Sequence, residues 1–275
     1  MRRCLAAVLC CLALTSQAGE LRSAEDDAKS LATAPLHWKA PQWRRFAEGV
    51  GVVAAVMIAD RRLEDAFARN RSSFTDSFAR QVTPFGGGRA MQISAVLIGT
   101  GWLTHNDNVL GAGRDSLEAE IWAAGIVTPL LKDTFGRARP STGEGTWQFH
   151  GFSNDNPHAS FPSGHATNAF AAATAIAAHS DGYLVPVIAY TLATGVAFSR
   201  VNDRAHFPSD VVAGALIGHA VGTVPPADDR IPGGRRRCYR DHDQPGDQDG
   251  STMHVFRYVH DQVGGPMDSA TRNLL

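Results

Sequence analysis

The chain has 275 residues, with 26 Lys and Arg against 27 Asp and Glu and a formal net charge of −1 at pH 7. That balance excludes the strongly basic footprint of a nucleic-acid binder. Four cysteines in such a length exclude a cystine-built scaffold.

In chain order, residues 1–18 have the form of a secretory signal peptide. Arg2 and Arg3 make a basic start, Cys4–Leu14 an apolar centre, and Ser16-Gln17-Ala18 a small-x-small cleavage site. That centre is short against the roughly 20 residues of a membrane span. Cleavage would remove Cys4, Cys10 and Cys11 and leave Cys238 without a partner, so no internal disulfide is expected. Residues 19–43, polar and holding Pro35 and Pro41, read as a linker. Residues 44–224 are expected to form one catalytic domain. Residues 225–275, rich in Asp, Arg, Gly, Pro and Gln, cannot bury a core and are expected to be disordered.

Six apolar runs mark the expected domain: Val50–Ala59, Met91–Thr104, Ile121–Leu131, Ala166–Ala178, Tyr183–Phe198 and Val211–Val224. Alanine is common in them and strand signals are few, which predicts an all-α fold, a helical bundle of about six core helices. Each run falls below the ~18 apolar residues that announce a span. None contains Asp, Glu, Lys or Arg, so the helices are apolar nearly all round and are either buried or facing lipid. Between the first two runs lie Arg61, Arg62, Arg69, Arg71, Arg80 and Arg89, with Leu63/Phe67 and Phe74/Phe78 paired at helical spacing. That stretch suits either a helix on an anionic bilayer surface or an amphipathic helix packed on the bundle.

Three clusters punctuate the later runs. Lys132 and Arg139-Pro140 follow Ile121–Leu131. Pro162-Ser163-Gly164-His165 opens Ala166–Ala178. Ser199-Arg200 closes Tyr183–Phe198, and His206 and Asp210 precede Val211–Val224. Singly, each has a plain reading as a helix cap or as a charge that complements a helix dipole. If consecutive helices are antiparallel, however, all three fall at one end of the bundle. That end then gathers three cations, two histidines, one carboxylate and two helix N-termini, a set suited to an anion.

These residues resemble the signature of the type 2 phosphatidic acid phosphatase superfamily: Lys-x6-Arg-Pro, Pro-Ser-Gly-His and Ser-Arg-x5-His-x3-Asp. Every specified position is matched in order and spacing, over residues 121–224. The resemblance implies that His206 is a nucleophile forming a phosphohistidine. Asp210 would accept from its other ring nitrogen, and His165 would act first as acid and then as base. Lys132, Arg139, Ser163, Gly164 and Arg200 would bind the phosphoryl group. Two histidines needed in opposite protonation states predict a bell-shaped pH profile.

No cofactor is expected and no metal, because His105, His150, His158, His179 and His219 lack ligand spacing. His150 and His158 read as solvated loop residues. Trp147, Phe149 and Phe152 either receive an acyl or prenyl chain or close the bundle.

The expected partner is a phosphorylated lipid or small phosphoester, with membrane association, no nucleic acid, and no protein partner assigned. Candidate substrates are phosphatidate-like lipids, polyprenyl diphosphates and lipid A phosphates. Alternatives are a soluble periplasmic acid phosphatase, a vanadate-dependent haloperoxidase sharing the same residues, and a non-catalytic phosphate binder. The expected location is the cell envelope. If Val50–Ala59 does not span, the site faces outward and Arg235-Arg236-Arg237 lies inside, as the positive-inside rule prefers.

Overall fold

In the computed structural model, the described residues are Lys29, 33–153 and 155–223; the signal-peptide and tail expectations fall outside them. From Ala40 onward the described residues hold eight α-helices: α1 (Ala40–Arg69), α2 (Ser73–Val82), α3 (Gly88–Thr104), α4 (Asp107–Glu120), α5 (Thr128–Phe135), α6 (Gly164–Ala178), α7 (Leu184–Asn202) and α8 (Pro208–Gly222); residues 33–37 are also helical. Short 3-10 turns at Thr83–Gly86, Pro140–Thr142 and Asn156–His158 punctuate them. The only pairing of extended backbone among the described residues is an isolated bridge between Arg137 and Phe149.

Two boundaries differ from the sequence reading. Helix α1 starts at Ala40, inside the stretch expected as linker. Pro41 fits its first turn, where no backbone N–H is needed, and the Gln42 side chain accepts the Lys39 N–H at 3.0 Å. The helix also runs straight through Arg61 and Arg62, so the apolar run ended there without the helix ending. Ser72 and Thr75 then cap α2 reciprocally, at 3.2 and 2.9 Å. Phe67 of α1 and Phe78 of α2 both pack on Phe198, with ring centroids 5.5 and 5.9 Å apart. This stretch therefore packs on the bundle, with Phe74 pointing outward.

Helices α4 and α5 are joined by a π-helical segment, Ile121–Val127. Pro129 explains the wide turn: its ring would crowd the carbonyl four residues earlier, and it offers no N–H to the ladder. Thr128 reaches back with its hydroxyl to the Ala123 carbonyl at 2.8 Å.

The core sits around α6. Its alanines are small enough to let neighbours approach on several sides. Ala171 and Ala175 meet Ala119 and Ala123; Ala169 and Ala173 meet Ala193 and Val196; Ala166 meets Val201 and Val211. Helix α8 comes nearest, because Gly214, Gly218 and Gly222 form a stripe at four-residue spacing. A Cβ on Gly214 would stand 2.5 Å from the Ser163 carbonyl oxygen, and one on Gly222 would stand 2.8 Å from that of Ala171.

Helix α3 is apolar outward and polar inward. Val96, Trp102 and Leu103 are exposed, whereas Ser94 is buried and donates to Glu120 at 2.7 Å. Buried Glu120 also accepts from Ser116 and from Asn168 of α6, both at 3.3 Å. Helix α7 likewise exposes Leu184, Val185, Val187 and Ile188, and is long and apolar enough to cross a membrane.

Candidate active site

The end of α5, the starts of α6 and α8 and the end of α7 converge at one end of the bundle. Gly136, at φ 54°, ends α5 and turns the chain sharply past the backbone of His150. The loop beyond is laced by backbone bonds: His150 N–H to Gly136 O at 2.8 Å, Ala138 N–H to Gln148 O at 3.0 Å, Arg139 N–H to Pro157 O at 2.9 Å and Ser160 N–H to Arg137 O at 2.9 Å. These bonds carry the sequence-predicted cations to the histidines.

Lys132 donates its ammonium to the Ala159 carbonyl. Arg139 donates through Nε to Asn156 O at 2.7 Å, through Nη2 to Asn156 Oδ1 at 3.0 Å and through Nη1 to Ala205 O at 3.1 Å. Three of its five N–H groups are thus held, two by Asn156 of this loop and one by Ala205 between α7 and α8, and one on each terminal nitrogen remains. Arg200 contacts Asp203 at 3.4 Å, and its Nε is buried with no acceptor. Ser163 is fully buried, with its Oγ 3.5 Å from the Ala166 N–H as the cap of α6. Gly164 lies beside Lys132, whose Cε would be 3.9 Å from an added Cβ.

His165 is half-buried against Gly86 and Gly87, and His206 is almost fully buried. Lys132, Arg139 and Arg200 lie within electrostatic reach of both imidazoles. Burial, followed by those three cations, pushes the His206 pKa well below its ordinary value. His206 is therefore neutral at physiological pH.

The orientation of His206 differs from the sequence expectation. Its Nδ1 lies 2.7 Å from the Ser160 carbonyl oxygen, which as an acceptor requires the proton on Nδ1 and leaves the lone pair on Nε2. Asp210 Oδ2 is 3.9 Å from that nitrogen, too far for a hydrogen bond. Asp210 instead accepts from Ser160 Oγ at 2.6 Å, the Phe207 N–H at 2.8 Å and Arg137 Nη1 at 2.5 Å. It fixes the loop whose carbonyl fixes the imidazole. The reason is local: Asp210 sits in the first turn of α8, where it caps Phe207, and that bond turns the carboxylate away from the ring.

The family model of the PAP2 superfamily matches residues 119–226, which include all of these predicted site residues. Those residues, about two-fifths of the chain, resemble the PAP2 superfamily. A lipid A 1-phosphatase of Rhizobium johnstonii is 40% identical over 97 residues, covering 34% of this chain and 39% of that protein. A decaprenylphosphoryl-5-phosphoribose phosphatase of Mycobacterium tuberculosis is 40% identical over 79 residues, covering 29% and 41%. The chain thus spans about two-fifths of the length of these relatives. A solved transmembrane PAP2 type phosphatidylglycerolphosphate phosphatase from Bacillus subtilis aligns at a TM-score of 0.49 with 24% identity, over 64% of this chain and 90% of that one.

Within the PAP2 segment, the sequence reading missed Arg137. Fully buried, it donates to Asp60 at 2.8 Å, Asp210 at 2.5 Å, Ser209 Oγ at 2.8 Å and the Thr146 carbonyl at 2.5 Å. Its guanidinium lies 4.5 Å from the Phe207 ring centroid. Asp60, on α1 and outside the PAP2 segment, also accepts from the Ser209 N–H at 2.9 Å and from its hydroxyl at 2.5 Å. The available signals were slight: Arg137 sits two places before Arg139, and Asp60 is the first charge after an apolar run.

Two further loop readings are narrowed by the structure. Trp147 and Phe152 are exposed and do not close the bundle, whereas Phe149 lies against the Arg137 guanidinium at 5.5 Å. The loop histidines are not isolated. His150 Nε2 meets Glu144 Oε2 at 2.8 Å, and His158 Nε2 meets Glu144 Oε1 at 3.2 Å. The loop folds back on itself, so residues far from ligand spacing in the sequence stand side by side.

Proposed function

We propose that the chain is a phosphatase of lipid phosphomonoesters or diphosphates, working through a phosphohistidine without a metal cofactor. The observation that carries this reading is the half-buried set of Lys132, Arg139 and Arg200 within electrostatic reach of two imidazoles, with Arg200 Nε lacking an acceptor. A phosphate oxygen would satisfy that donor, and the three cations would neutralise a phosphoryl group.

In the first step, the lone pair on His206 Nε2 attacks phosphorus, the N–P bond forms and the ester P–O bond breaks. His165, whose pKa burial and the same three cations lower to about 4 in the free site, takes up a proton as the phosphoryl anion offsets those cations, and gives it to the leaving oxygen. In the second step, neutral His165 takes a proton from water, the oxygen attacks phosphorus, and the N–P bond breaks to release phosphate and neutral His206. The Ser160 carbonyl holds Nδ1–H throughout and stabilises the ring as it gains positive charge.

A lipid substrate is supported by the activities for which the relatives are named and by the apolar outward faces of α3 and α7. Helices that bury serine and expose tryptophan and leucine suit a hydrocarbon surrounding better than water. Residues 1–18, read as a signal peptide, supply export to the cell envelope. The test is release of phosphate from short-chain phosphatidate, a polyprenyl diphosphate and lipid A, by detergent-purified protein in chelator. Wild type is expected to turn over at least one and His206→Ala none. Equal turnover by both proteins, or wild-type activity wholly dependent on added metal, would overturn the reading.

A further inference from the structure

Glu144, His150 and His158 stand apart from the proposed phosphoryl site, on the loop that holds Arg139. One ligand atom from each lies within 4.8 Å of the other two, and all three side chains are reachable from solvent. The two imidazole centroids are 4.1 Å apart. A pair of nitrogens and a carboxylate is a set that a borderline cation such as Zn2+ binds, with a fourth position left for water.

A second observation points the same way. His158 Nδ1 lies 2.7 Å from Asp155 Oδ1, so the proton is held on Nδ1 and the Nε2 lone pair is aimed at the cluster. That carboxylate–imidazole arrangement is how metal-ligating histidines are oriented. The backbone positions of both histidines are also fixed beforehand. His150 is tied to Gly136 at 2.8 Å and stands beside the Arg137–Phe149 bridge. His158 ends the 3-10 turn whose Pro157 carbonyl accepts the Arg139 N–H at 2.9 Å.

We propose that Glu144, His150 and His158 form a Zn2+-class site that fastens this loop over the phosphate-gripping residues. The coupling runs through Asn156, two residues before His158, whose carbonyl and side-chain oxygens hold Arg139 Nε and Nη2. Ligation of His158 immobilises the turn that aims the Arg139 guanidinium. The metal takes no part in bond breaking. Its expected influence on turnover, a lower KM at unchanged kcat, rests on the phosphatase reading; its binding does not.

The deciding measurement is calorimetric titration of the full chain, purified without a histidine tag, with ZnCl2. Glu144→Gln and His150→Ala are compared with wild type, both on exposed side chains whose loss leaves the bundle intact. Wild type is expected to bind one more Zn2+ than either variant, which cancels contributions from histidines elsewhere in the chain. Asp155→Asn is expected to keep the site with affinity lowered by about 10-fold or more. Hydrogen exchange across residues 140–160 is expected to slow on Zn2+ addition in wild type only. Identical stoichiometry and affinity in wild type and both variants would overturn the site. Binding without slowed exchange would overturn the fastening.

Discussion

Arg137→Ala is the sharpest perturbation of the layer beneath the site. The guanidinium is fully buried and stands 2.5 Å from Asp210 and 2.8 Å from Asp60, both also fully buried. Removing it strands two carboxylates with no cation between them. Breaking one buried pair costs about 3–5 kcal/mol. Both carboxylates keep other donors, from Ser160, Phe207 and Ser209, so the two losses do not simply add. A destabilisation of at least about 3 kcal/mol is expected, or a fall in Tm of roughly 6 °C or more for a domain of this size.

The assay is thermal unfolding in detergent of the Arg137→Ala and Asp60→Asn single variants and of the double variant. Neutralising Asp60 removes part of the reason for needing the cation, so the double variant should lose less than the sum. Full activity in Arg137→Ala with Tm within about 2 °C of wild type would refute the reasoning. So would strictly additive losses.

Three other outcomes follow from the same geometry. Asp210→Asn keeps the Ser160 carbonyl on His206 Nδ1, so its turnover should fall well short of the loss in His206→Ala; equal losses would return the orienting role to Asp210. The depressed His206 pKa keeps the nucleophile neutral below pH 6.5, so the acidic limb of the kcat/KM profile should lie well below that value. Lys132→Met removes one depressing cation and should move that acidic limb upward; a limb at or above pH 6.5 in wild type, or one unmoved in the variant, would contradict this. Gly214→Ala puts a methyl 2.5 Å from the Ser163 carbonyl and should cost about 1–3 kcal/mol by forcing α8 from α6, measured as a lowered Tm; unchanged stability would argue against the close contact.

The sequence by itself determined the all-helical class, the six apolar runs and the reagents, because helix formation and motif spacing are local properties. It marked Lys132, Arg139, His165, Arg200 and His206 as one set through their places at run ends, and the fold brings them to one end of the bundle. It could not tell helix from apolar run where polarity changed within a helix, as at Arg61 and Arg62 in α1. Partners distant in sequence were decided only by tertiary structure. Arg137 finds Asp60 77 positions away, and His206 takes the Ser160 carbonyl 46 positions away. The gathering of Glu144, His150 and His158 belongs to the same class. Such contacts depend on where the glycine stripe of α8 lets it settle against α6 and on how Gly136 turns the loop, and residue spacing carries no record of either.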